Sequence, residues 1–101
     1  MKSFCLCSRY ETLISMRLAG IKGLEIHSEE ELKEALEELM GHPEYGLILI
    51  SEALQNMARD HVMALKLSQR DRMIIQIPEP GGYKDRDYMM RYIRESIGIK
   101  V

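Results

Sequence analysis

Apolar positions along this chain switch repeatedly between strand-like and helix-like spacing. Phe4-Cys5-Leu6-Cys7 is an unbroken apolar run, the mark of a strand buried on both faces. From Glu11 to Ala19 the spacing turns helical, with Leu13, Ile14 and Leu18 on one side and Gly20 as the stop. Leu24-Glu25-Ile26 reads as a short second strand. Ser28-Glu29-Glu30-Glu31 is a capping box, with Ser28 as the cap and Glu31 reaching back to it. Its three acids sit where the helix dipole favours negative charge. The helix that follows lines up Leu32, Ala35, Leu36, Leu39 and Met40 on one stripe and ends at Gly41.

Leu47-Ile48-Leu49-Ile50 is the strongest strand signal, wholly apolar and bounded by Gly46 and Ser51. Such a run belongs at the centre of a parallel sheet. Ser51 is read as the cap of one long third helix reaching about Ser68, with Leu54, Met57, Ala58, His61 and Leu65 inward. Met73 to Ile77 forms a fourth strand, halted by Pro78. A last helix is expected from Asp85 to Ile97, with Met89, Tyr92, Ile93, Ser96 and Ile97 on one face and Gly98 closing it. Pro78, Pro80, Gly81 and Gly82 crowd the segment before it, which reads as a hinge.

The order β-α-β-α-β-α-β-α with short connections predicts right-handed crossovers and an α/β fold. The economical arrangement is a small receiver-like (flavodoxin-like) parallel sheet of four strands, order 2-1-3-4, with helices on both faces. The chain is expected to form a single domain: an α/β sheet part over 1–78, then the hinge and C-terminal helix over 79–101.

Length and charge narrow the function classes. A chain of 101 residues has room for one modest core. Its net charge of −2 excludes nucleic-acid binding through bulk positive charge. Charge is uneven, with nine acids and five bases in residues 1–50 against seven acids and nine bases in 51–101. No apolar run approaches the ~18 residues that a membrane span needs, and the start Met1-Lys2-Ser3-Phe4 is unlike a signal peptide. Two cysteines, Cys5 and Cys7, make no disulfide framework. A reduced, cytoplasmic protein is expected.

In such folds ligands bind at the carboxyl ends of the strands. Those ends are Cys7-Ser8-Arg9, His27-Ser28, Ser51-Glu52 and Pro78-Glu79. A phosphoreceiver needs acids after its first strand and an Asp ending its third. Ser8-Arg9 and Ile50-Ser51 stand there instead. Cys7, before a helix N-terminus, is placed as a phosphoacceptor thiol would be in a phosphotransferase B-type subunit. Against that, Ser8-Arg9-Tyr10-Glu11-Thr12 has no Gly and carries an acid, and Cys5 and Cys7 read more readily as small buried hydrophobes; Cys7 is expected to be structural. The three histidines do not cluster, no zinc-like spacing is complete, and no Gly-rich phosphate loop is present. No catalytic residue, cofactor or metal is therefore assigned.

Four stretches, taken in order, resemble the F subunit of V-type/A-type rotary ATPases. They are Thr12 followed by Met16-Arg17-Leu18-Ala19-Gly20-Ile21, then Gly46 to Glu52, then Ile75-Gln76-Ile77-Pro78, then Ile93 to Lys100. The family typically has Phe where Met16 stands, an acid where Gln76 stands, and Gly-Asp where this chain has Ser8-Arg9. The resemblance implies a non-catalytic central-stalk subunit. Such a subunit sits on the coiled-coil D subunit and turns with it inside the catalytic ring, coupling ATP hydrolysis or synthesis to proton or sodium transport. It implies a place peripheral to the membrane, with no direct insertion. It also implies a mobile C-terminal helix that tunes ATPase activity, for which Pro80-Gly81-Gly82 would be the hinge. Tyr88, Arg91 and Arg94 lie off the apolar stripe of the last helix and are of types enriched at protein contacts. With Tyr92 and the strand end at Ile77 and Pro78, they are expected to contribute to the partner contact. A phosphotransferase subunit working through Cys7, or a degenerate receiver-like interaction module, are the alternative readings.

Overall fold

The first strand is longer than its apolar run, because backbone pairing extends beyond the buried side chains. In the computed structural model, which describes residues 1–79, β1 covers Lys2–Cys7. It is followed by α1 (Tyr10–Leu18), β2 (Lys22–Glu25), α2 (Glu29–Met40), β3 (Tyr45–Ser51), α3 (Glu52–Met57), α4 (Arg59–Ser68) and β4 (Met73–Ile77). The described strands form one sheet in the order β2-β1-β3-β4, and every pairing is parallel. This is the anticipated 2-1-3-4 sheet. The helix expected over Asp85–Ile97, and the hinge from Pro80 onward, lie outside the described residues.

Side chains alternate across the sheet with period two. Leu6, Ile48, Ile50 and Ile74 face one side, where Leu32, Ala35, Leu36 and Leu39 of α2, Leu54 of α3 and Val62 of α4 close over them. Phe4 joins this side, edge-on to Tyr45 with ring centroids 5.3 Å apart. Cys5, Cys7, Leu47, Leu49 and Ile77 face the other side, with Leu13 and Met16 of α1. Helices thus cover both faces, which is why the central strands tolerate no polar side chain between Cys5 and Cys7 or between Leu47 and Ile50.

The turn after α1 explains a stretch that also carries the family resemblance. Gly20 adopts φ 81°. Its N–H donates to Arg17 O at 3.0 Å, while Ile21 N–H donates to Met16 O at 2.8 Å. That is the Schellman pair, with a left-handed Gly and an apolar contact expected between the positions making the longer bond. Met16 and Ile21 are both buried, and both belong to the same cluster. Arg17, Leu18 and Ala19, between them, are exposed.

Gly23, in β2, is required by close approach. A Cβ there would stand 2.7 Å from the Cys5 carbonyl oxygen, backbone that cannot yield.

Three expectations need correction. The third helix is not continuous: Ala58, at φ −134° and ψ 51°, separates α3 from α4. Beyond the break Val62 is fully buried, Leu65 packs against the core as expected and His61 is partly buried, while Met57, expected inward before the break, is exposed. On α1 the buried set is Thr12, Leu13, Ser15 and Met16, and Leu18 is exposed. The Ser28 cap at α2 forms as expected, and Glu31 reaches back to the Ser28 hydroxyl rather than to its backbone N–H. The Ser28 Oγ accepts from Glu31 N–H at 3.1 Å, and the Glu31 carboxylate meets the Ser28 hydroxyl at 3.4 Å.

One fastener joins distant parts of the chain. Arg72, just before β4, donates from Nη1 to Leu39 O at 2.6 Å and from Nη2 to Met40 O at 2.8 Å. These are carbonyls at the C-terminal end of α2, which the helix itself leaves unpaired. Gly41 follows them in a right-handed conformation, φ −78°, and the turn supplies only a His42 N–H to Leu39 O at 3.0 Å, so Arg72 adds a second donor there and serves Met40 O.

Candidate functional site

The carboxyl ends of β1, β3 and β4 form a crown over which α1 and α3 begin. Each helix start presents N–H groups without intrahelical acceptors. At α3 the need is met locally, since the Ser51 Oγ accepts from Leu54 N–H at 3.3 Å. At α1 it is not: Arg9 holds the N-cap position and makes no side-chain cap.

Glu79, two residues beyond β4, instead caps the connection that leads into α1. Its carboxylate accepts from Ser8 N–H at 3.1 and 3.2 Å, from Arg9 N–H at 3.0 Å, and from the Ser8 hydroxyl. The crown position where an α/β fold receives an anion is thus filled by the chain's own carboxylate.

Cys7 lies beneath this arrangement and is fully buried. Its Sγ is 3.5 Å from both Arg9 O and Leu24 O, donating to these carbonyls. Cys5 is also fully buried, and both thiols are free. The hydrogen bond with Cys7 is the largest influence pushing the Cys5 thiol up. Burial, the neighbouring Cys7 sulfur and the negative charge of Glu79 add to it. Neither sulfur is presented to solvent as a nucleophile must be.

Elsewhere at this end, His27 Nε2 lies 2.7 Å from a Glu25 carboxylate oxygen. His42 sits in the turn after α2, near Glu44. Among the described residues no three His, Cys, Asp or Glu side chains converge as metal ligands would. Nor is any helix among them long and apolar enough to cross a membrane. Of the residues expected at the partner contact, Ile77 is buried against Cys5 and Cys7, and Pro78 is half-buried at the strand exit. Tyr88, Arg91, Tyr92 and Arg94 lie outside the described residues. Sequence reasoning placed Glu79 at a strand end but gave it no role, because the Ser8 and Arg9 amides it accepts from lie far away in the chain.

The family model for the ATP synthase (F/14-kDa) subunit matches residues 6–96. The chain belongs to this family. It is similar to the F subunit of the A-type ATP synthase from Methanosphaera stadtmanae, 32% identical over 90% of this chain and 88% of that protein. The F subunit of the V-type ATP synthase from Thermus thermophilus is 31% identical, covering 90% of this chain and 91% of its own length. The corresponding A-type protein of Methanococcus maripaludis strain C5 is 27% identical over 90% of each chain. Membership in this family makes the chain a component of a rotary ATP synthase. It replaces the phosphotransferase reading of Cys7, in keeping with a thiol sealed in the core.

Proposed function

We propose that this F subunit is a non-catalytic rotor component of the central stalk, bound to the coiled-coil D subunit. There it helps couple ATP hydrolysis or synthesis to proton or sodium movement, on the cytoplasmic side and peripheral to the membrane. The family match across residues 6–96 carries this reading. The crown supports the non-catalytic part: the place where the fold would take a phosphate holds Glu79, and the neighbouring thiol is buried. Pro78 and the segment beyond it, with Tyr88, Arg91, Tyr92 and Arg94, form part of the partner contact, and Ile77 anchors the strand from which that segment departs.

The test is co-purification with the coiled-coil partner, using the full chain and a chain cut before Gly81. The full chain binds, and the cut chain binds at least about tenfold more weakly or alters the ATPase rate of the assembled complex, as loss of an interface anchor does. Failure of the full chain to bind refutes the stalk assignment. Native affinity and rate from the cut chain refute the contact assigned to the C-terminal segment.

A further inference from the structure

β4 and β1 are not neighbours; β3 lies between them. Yet the residue that leaves β4 reaches across the crown and is held by the start of α1. Glu79 takes two backbone N–H groups and one hydroxyl, from Ser8 and Arg9, on a single carboxylate. Both are residues of the β1–α1 connection, and α1 runs nine residues with the positive end of its dipole at this spot. Covalently, Glu79 is followed at once by Pro80-Gly81-Gly82. The side chain that stands immediately before that stretch is therefore a carboxylate seated in an anion cradle.

We propose that Glu79 is an internal anion ligand, a latch. It occupies the α1 cradle in place of an external anion and fixes the point on the crown from which residues 80–101 depart. Two properties follow. The cradle is closed to phosphate and carboxylate solutes while the latch is engaged. Removal of the carboxylate leaves the Ser8 and Arg9 amides without an acceptor and opens the cradle to a small anion. The latch belongs to the isolated chain, whatever partner the subunit turns with.

The experiment uses the full chain and reads individual amides by hydrogen exchange. In Glu79→Ala the Ser8 and Arg9 amides exchange about tenfold faster or more, since charge-assisted bonds of this kind have been lost. In Glu79→Gln, which keeps shape and one neutral acceptor, they speed up by a smaller factor. The amides of Ile48 and Leu49 in central β3 serve as the reference for global unfolding and keep their protection in both variants. Added formate, and separately inorganic phosphate, restore protection of Ser8 and Arg9 in Glu79→Ala with saturation, and neither changes the unsubstituted chain. Unchanged Ser8 and Arg9 exchange in Glu79→Ala overturns the latch. So does acceleration matched at Ile48 and Leu49, or recovery obtained equally with chloride at the same ionic strength.

Discussion

Arg72→Ala removes a guanidinium that does two jobs at once. It withdraws two donors from Leu39 O and Met40 O, bonds of 2.6 and 2.8 Å. It also takes a cation away from the end of α2, whose last turn carries no basic residue of its own. Hydrogen bonds made by a charged donor contribute about 1.5–3 kcal/mol each when well enclosed. This arginine is half-buried, and water replaces it in part, so the pair is worth less than twice that. The favourable charge at a helix C-terminus adds roughly 0.3–1 kcal/mol. A loss of about 2 kcal/mol follows, or a melting point lower by about 10 °C for a domain of this size. Arg72→Lys recovers less than half, because an ammonium on a flexible stem cannot serve two carbonyls in a fixed fork. Urea unfolding followed by circular dichroism measures all three proteins, with exposed Arg70→Ala as the control for simple loss of charge. An Arg72→Ala variant within ~0.5 kcal/mol of the unsubstituted chain refutes the double role. An Arg70→Ala variant that costs as much refutes it equally.

Two further outcomes test the core. Cys5 is held protonated in the fold while its unfolded counterpart ionises near pH ~8.5. The folded state therefore keeps a proton that the unfolded state releases, and stability is full below that pH and falls above it, by up to ~1.4 kcal/mol per pH unit. Urea midpoints between pH 7 and 10 show the decline, and Cys5→Ala shows a shallower one; identical slopes exclude the Cys5 contribution. Val62→Ala costs about 2 kcal/mol through the cavity it leaves. His61→Leu is neutral or stabilising, because its Nε2 is buried with no hydrogen-bond partner among the described residues. Thermal unfolding of the two variants decides, and a larger loss at His61 than at Val62 reverses the assignment.

What was legible in the sequence was what neighbours in the chain decide. Ser28 and the Leu32-Ala35-Leu36-Leu39 stripe carry α2 by themselves, since caps and helical faces are read over three or four residues. Leu47 to Ile50 needed no more than their own apolarity to be placed in mid-sheet. Ala58 is the counter-example. It is an excellent helix former, and nothing adjacent marks it as the place where one helix becomes two. Its break is a tertiary outcome; beyond it Leu65 still packs inward and His61 is partly buried as read, but Val62, which was not read as inward, is the residue fully enclosed. α1 misled for a related reason. Its buried face includes the small polar residues Thr12 and Ser15, while Leu18, which looks like core, faces water. At the candidate site, the burial suggested for Cys7 was legible from its apolar strand. Glu79 was not, because the groups it serves lie 70 and 71 positions away. Arg72 escaped for the same reason, its carbonyl partners being 32 and 33 positions distant.

The strand order has a consequence for how the protein is made. β1 is synthesised first but lies inside the sheet, between β2 and β3. As the chain leaves the ribosome β2 arrives soon after, and one edge of β1 is covered. The other edge, and the apolar faces of Cys5, Leu6 and Cys7, wait for β3 and so for Ser51 to emerge. Parallel pairing over such separations is slow. At ~5–20 residues per second, the nascent chain spends seconds exposing a sticky, half-paired strand. That interval is when a chaperone that recognises extended apolar segments has something to bind. It closes as β3 docks, well before Arg72 and Glu79 emerge to fasten the two ends of the fold.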